Sequence, residues 1–174
     1  MTALGTLCMI LNAFEIDPLR TWKAPWRFYT QDMLDCCRPL AEVQQVGMTL
    51  DEFVCLARCN GLNASLKSFS EKDDRQSGLK KFREDLKSAS TGTTTMALAY
   101  SRKVLGQTGV GHFSPIGAYN EANDSVCTDS LIGVRIRHLM DSYRFSFSTL
   151  HASSIPRIGY QLNWHTIRCC QSMP

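Results

Sequence analysis

Two groups of side chains in this 174-residue chain have chemistry beyond packing. The first is His112, in the run Gly109-Val110-Gly111-His112-Phe113-Ser114-Pro115-Ile116-Gly117-Ala118-Tyr119. Gly109 and Gly111 let the backbone turn with positive φ where a loop passes into a strand. Phe113, Ile116 and Tyr119 supply apolar bulk, which sets His112 at the edge of a core. An imidazole there titrates near neutral pH and serves as a general base, or it is a core histidine bonded to backbone. Spacing alone favours the second reading.

The second group is cysteine. Cys36 and Cys37 are adjacent, while Cys55 and Cys59 fall four residues apart and therefore on one helix face. Thiolates gather soft divalent ions such as zinc or cadmium. Buried cysteine also packs as a small hydrophobe, and neither pair has the two-residue gap of a zinc knuckle. Both readings stay open on the residues alone.

Composition bounds what these groups can serve. At 44% hydrophobic and 20% charged residues, the chain reads as a soluble globular protein with a genuine core. A formal charge of +3 is too small to argue for nucleic acid or an anionic membrane. It is unevenly placed: residues 1–124 carry 14 basic and 14 acidic side chains. The remainder holds Arg135, Arg137, Arg144, Arg157 and Arg168 against Asp129 and Asp141, with no Lys or Glu. Eight cysteines in so long a chain do not make a secreted disulfide scaffold. The apolar start lacks a cationic lead and runs into Glu15 and Asp17, against a signal peptide, and no run is long enough to span a bilayer. The expectation is a cytoplasmic protein without nucleic-acid or membrane partners, homo-oligomerisation left open.

The elements that must position these groups follow from periodicity. Leu4, Leu7, Cys8, Leu11 and Phe14 predict a helix over residues 3–14, ended by Asp17-Pro18. Residues 22–29 form an aromatic loop, either a lid on the core or a ligand wall. Thr30 caps a short helix through Met33, Leu34 and Cys37, and residues 41–46 continue helical up to Gly47. Thr49-Leu50-Asp51-Glu52 is a capping box that opens a helix carrying Phe53, Leu56 and Ala57 and stopping near Gly61. Residues 64–69 read as a strand, 70–87 as a surface helix with Leu79, Phe82 and Leu86 inward, and 88–95 as a connector. Strands follow over residues 96–104 and from His112, then a turn at 120–124. Helices first and strands later predict the α+β class. Beyond Ser125 no clear period emerges: 131–140 fits strand or helix, and the basic tail 125–174 is left without a fold.

Five blocks carry a resemblance. Leu7-Cys8-Met9-Ile10-Leu11-Asn12-Ala13-Phe14, Trp22-Lys23-Ala24-Pro25-Trp26-Arg27, Asp32-Met33-Leu34-Asp35-Cys36-Cys37 with Pro39-Leu40, Val54-Cys55-Leu56-Ala57-Arg58-Cys59 and Gly111-His112-Phe113-Ser114-Pro115-Ile116-Gly117 stand in the order of the phytochelatin synthase catalytic domain. The chain resembles that family from about Thr2 to Asp124. The resemblance implies a papain-like cysteine peptidase fold, here incomplete, over residues 1–124. It implies a γ-glutamylcysteine dipeptidyl transpeptidase, which cleaves glycine from glutathione, holds γ-glutamylcysteine as a thioester and passes it to another glutathione. Cadmium or zinc thiolates of glutathione are the implied acceptors in metal detoxification, and no organic cofactor is implied.

The same resemblance assigns roles. His112 matches the family's catalytic histidine. Thr2 occupies the slot of the nucleophilic cysteine, and the oxyanion glutamine falls upstream of Met1. The aspartate slot lands on Ser130, with Asp129 one residue out of register. Cys36, Cys37, Cys55 and Cys59 match cysteines suspected of metal sensing. Cys8, six residues along the helix from Thr2, lies roughly 9 Å away and cannot replace the nucleophile. The chain is therefore expected to be an incomplete or alternatively spliced form with little or no transfer activity; the alternative is a non-catalytic binder of metal or glutathione thiolate.

Overall fold

The computed structural model describes residues 2–68, 74–109, 111–128, 134–136, 139 and 146–152. They divide into two compact units, one holding Ala3–Ala64 with residues 151–152, the other Thr2 with Ser65–Leu150.

Helix α1 (Thr2–Ala13), which belongs to the first unit from Ala3 onward, forms because Leu4, Leu7 and Leu11 recur at three- and four-residue spacing, and all three are buried. Burying a leucine of this kind contributes about 1.5–3 kcal/mol. The helix closes with Phe14 N–H bonded to Ile10 C=O, and Glu15 then turns left-handed at φ 54°. The aromatic loop contains a cis Ala24–Pro25 bond and a Lys23–Trp26 bridge.

The helix expected to start at Thr30 does not extend to Cys37. Only a single 3-10 turn forms, Gln31–Met33, and Leu34 ends it at φ −97°, ψ 64°. The reason is local: the Thr30 hydroxyl donates to Asp32 Oδ1 at 2.5 Å and makes no bond to the backbone ahead. Cys36 and Cys37 consequently sit on bends, not on a helix. Next, α2 (Leu40–Val46) begins directly after Pro39, whose carbonyl accepts from Glu42 and Val43 N–H. It stops at Gly47, φ 81°. The capping box is present as predicted and opens α3 (Leu50–Cys59), which buries Phe53, Val54, Cys55, Leu56 and Ala57.

The second unit is built on α4 (Arg75–Ala89) and most of a six-stranded sheet in the order β1-β6-β2-β3-β4-β5. The strands are β1 (Leu62–Ser68), β2 (Thr94–Tyr100), β3 (His112–Asn120), β4 (Ser125–Thr128), β5 (Val134–Arg135) and β6 (Ser146–Ala152). The helix starts later than expected because the Asp74 carboxylate accepts from Gln76 and Ser77 N–H and fixes the cap there. The strand expected over 96–104 ends at Tyr100. A 3-10 turn, Arg102–Leu105, takes over and closes at left-handed Gly106.

Antiparallel pairing sets Leu98 opposite Ser114 and Tyr100 opposite His112. Between β3 and β4 the register shifts from Ile116 to Ala118, which places a bulge at Gly117. Leu79, Phe82 and Leu86 of α4 pack on Met96, Leu98, Val126 and Phe147. The Phe82 and Phe147 rings meet at 4.8 Å and 59°. Val126, Ile136, Leu139 and Phe147, all beyond residue 124, are fully buried in that core. The mixed architecture with antiparallel pairing fits the expected α+β class. Among the described residues no helix is long and apolar enough to cross a membrane.

Candidate active site and cysteine cluster

His112 opens β3 with 7% of its surface exposed, at the core's edge as its neighbours predict. Gly109 has the expected positive φ, 102°, whereas Gly111 does not. Across the ladder, the Tyr100 ring meets the imidazole edge-on at 5.6 Å. That contact packs one edge of the imidazole against the neighbouring strand.

One residue further, the Phe113 N–H donates to Thr2 Oγ1 at 3.2 Å. Thr2 belongs to the same unit as β3. The residue in the implied nucleophile slot is therefore bonded next door to the imidazole. Ser130 and Asp129, the two residues near the implied aspartate slot, lie outside the described residues.

Cys8 offers no alternative nucleophile. Its thiol is buried, and its pKa is pushed up to about 11, first by that burial and second by the Asp32 carboxylate. It stays protonated at neutral pH, and a thiol is a far poorer nucleophile than a thiolate.

The other four predicted site cysteines do come together, though not as the sequence pairs suggest. Cys36 on the bend is disulfide-bonded to Cys59 at the end of α3, with Cα atoms 6.7 Å apart. Cys37 Sγ lies 3.4 Å from Cys55 Sγ and 3.9 Å from Cys36 Sγ. The bend thus lays two successive sulfurs against two successive turns of one helix face. Ligand atoms of Cys36, Cys37 and Cys59 all fall within 4.8 Å of one another. That convergence suits a soft ion once the sulfurs are thiolates.

Side chains the sequence did not single out fix this arrangement. Arg38 donates to Glu42 Oε2 at 3.2 Å and to Glu52 Oε1 at 2.9 Å, holding the bend against the start of α3. Asn60 Nδ2 donates to Leu56 C=O at 2.8 Å and reaches Cys36 Sγ at 3.6 Å. Cys37, Cys55, Arg38 and Glu52 line, with Leu34, Met48 and Leu56, a small cavity of about 90 Å³. In the sequence none of these stands out as a partner for the cysteines, although Arg38 follows Cys37 directly.

Asn12 is another residue whose role emerges only in three dimensions. Its amide donates to Tyr29 C=O at 3.0 Å and accepts from Tyr29 N–H at 2.7 Å, pinning the end of the aromatic loop to α1. Arg27 adds a two-toothed pair with Asp17, 2.7 and 3.1 Å. Trp22 meets Phe28 at 4.7 Å with the rings tilted by 42°, yet it remains 45% exposed, and Trp26 is 63% exposed. Neither indole is a lid sealed onto the core.

Residues 1–132 match the phytochelatin synthase family. This chain belongs to that family. Among similar proteins is the Schizosaccharomyces pombe glutathione gamma-glutamylcysteinyltransferase, 49% identical over 124 residues, which are 71% of this chain and 29% of that protein. Glutathione gamma-glutamylcysteinyltransferase 1 of Arabidopsis thaliana is 43% identical over 121 residues, 70% of this chain and 24% of its own length. Glutathione gamma-glutamylcysteinyltransferase 3 of Lotus japonicus is 44% identical over 124 residues, 71% and 25%. The chain thus spans less than a third of the length of these phytochelatin synthase relatives. His112, Thr2 and the cysteine cluster all fall inside the family match.

Proposed function

We propose that this chain is the core of a papain-like γ-glutamylcysteine transfer domain that binds glutathione and a soft metal as its glutathione thiolate, and that transfers little by itself. The Phe113–Thr2 hydrogen bond carries this reading, because it sets a hydroxyl beside the strand that bears His112. In transfer of this class a thiolate attacks the cysteinyl–glycine carbonyl of glutathione, glycine leaves, and the thioester passes to the amine of a second glutathione. His112 has the chemistry to take the thiol proton and later give one to the departing amine. A threonine hydroxyl is a weaker nucleophile than a thiolate and gives an ester in place of the thioester this transfer passes on, so Thr2 is a poor substitute in the same slot. Once the Cys36–Cys59 bridge is open, the sulfurs of Cys36, Cys37 and Cys59 would supply a seat for cadmium or zinc, the ions whose glutathione thiolates are the substrates in this reading.

Incubation of the chain with glutathione and cadmium, followed by mass spectrometry of the products, tests it. The expected outcome is no phytochelatin above the protein-free control; accumulation of phytochelatin with time overturns the inactive assignment. A second reading, a binder without turnover in a cytoplasmic setting, is favoured by the cysteine cluster. It predicts that Cys55→Ser with Cys59→Ser weakens cadmium binding in equilibrium titration. Affinity equal to the unaltered chain removes it.

A further inference from the structure

The Cys36–Cys59 bridge joins the bend before Pro39 to the last turn of α3. Its two sulfurs differ in access: Cys36 is exposed, whereas Cys59 is half-buried. Thiol–disulfide exchange needs an incoming thiolate to reach one sulfur of the bridge from solvent, with the other sulfur as the leaving group. Cys36 meets the first requirement. Asn60 Nδ2, 3.6 Å from Cys36 Sγ, offers that sulfur an N–H once it carries negative charge. Two further sulfurs stand alongside, Cys37 at 3.9 Å from Cys36 and Cys55 at 3.4 Å from Cys37. A sulfur in a disulfide is not available as a thiolate ligand, so bridge and metal compete for the same atoms.

We propose that this cluster is a site of reversible thiol–disulfide exchange with a low-molecular-weight thiol, and that the state of the Cys36–Cys59 bridge decides whether the cluster takes a soft metal. The second half rests on the metal-seat reading above; the first does not. In the opening step a thiolate RS⁻ attacks Cys36 Sγ. The Cys36–Cys59 bond breaks, Cys59 leaves as thiolate and takes a proton from water, and Cys36 carries a mixed disulfide with R. A second RS⁻ then attacks the R-side sulfur, releasing the Cys36 thiolate and RSSR. One bridge and two RSH become two protein thiols and one RSSR, with two electrons passing from the small thiols to the bridge. Run backwards, RSSR closes the bridge.

The test uses the whole chain, equilibrated in glutathione and glutathione disulfide mixtures from reducing to oxidising, acid-quenched, alkylated and digested. The cross-linked peptide pairing Cys36 with Cys59 is expected to dominate at the oxidising end and to disappear at the reducing end. Both residues should become alkylatable together while Cys8 does not change. Cys59→Ser should replace the cross-link by a glutathione adduct on Cys36, and Cys36→Ser provides a second variant should the first not fold. In parallel, zinc alone is titrated into the oxidised and reduced chain, and the reduced form is expected to bind at least about tenfold tighter. Full alkylation of Cys36 and Cys59 at the oxidising end, or a bridge that persists at the reducing end, overturns the exchange site. Equal zinc affinity in the two states overturns the metal coupling alone. The peptide readout contains no metal and no turnover, so failure of the metal-seat reading leaves it standing.

Discussion

The backbone N–H of Phe113 donates to the hydroxyl of Thr2 across 3.2 Å, one residue past the imidazole of His112. A thiol in place of that hydroxyl would stand in the slot that the resemblance assigns to the nucleophile. Thr2→Cys is therefore expected to raise phytochelatin formation by more than about tenfold and to give a γ-glutamylcysteinyl adduct detectable by intact mass. His112→Ala in the same background should remove the gain. A Thr2→Cys chain as inert as its parent would show that the slot is not an acylation site.

Asn12 makes two hydrogen bonds to the backbone of Tyr29, one donated and one accepted. Asn12→Ala leaves both Tyr29 groups unmatched at a half-buried position. The expected loss is about 1–3 kcal/mol in chemical denaturation. No change in midpoint would mean that the loop is held elsewhere.

Cys8 provides a pH signature. Its thiol pKa rises from the ordinary 9.0 to about 11, chiefly through burial and secondarily through Asp32, so folding favours the protonated form. A raised folded-state pKa contributes stability that is fully present below pH 9 and lost as pH climbs through about 11. Unfolding followed between pH 8.5 and 11 should show a steeper decline for the unaltered chain than for Cys8→Ala. Parallel curves would contradict the assignment.

Arg83 grips Asp124 with two bonds, 2.8 and 2.7 Å, tying α4 to the turn between β3 and β4. Both side chains are about a third exposed, so solvent screens the pair. Asp124→Asn, which tolerates the left-handed backbone there, should cost about 0.5–1 kcal/mol and lose part of that effect in high salt. A loss several times larger would point to work beyond the ion pair.

The sequence showed most clearly what periodicity and caps encode. The Leu4–Leu7–Leu11 stripe, the Thr49–Glu52 box and the Leu79–Phe82–Leu86 face each became the element they predict. Thr30 misled because its hydroxyl bonds within its own loop, a choice that composition does not reveal. β4 and β5, four and two residues long, are too short to show alternation, yet Val126 and the neighbouring Ile136 complete the core. The cysteines were legible as a group but not as a pairing. Sequence spacing joins Cys55 to Cys59 along the helix, whereas the bend folds Cys36 onto one and Cys37 onto the other.

Glu52 ends up with two obligations. One carboxylate oxygen accepts from Thr49 N–H at 2.7 Å and the other from Arg38 at 2.9 Å. Glu52 thereby links the cap that starts α3 to the arginine beside Cys36 and Cys37. Replacing that one acid would release the helix start and the cysteine-bearing bend together, although it is not itself a cysteine.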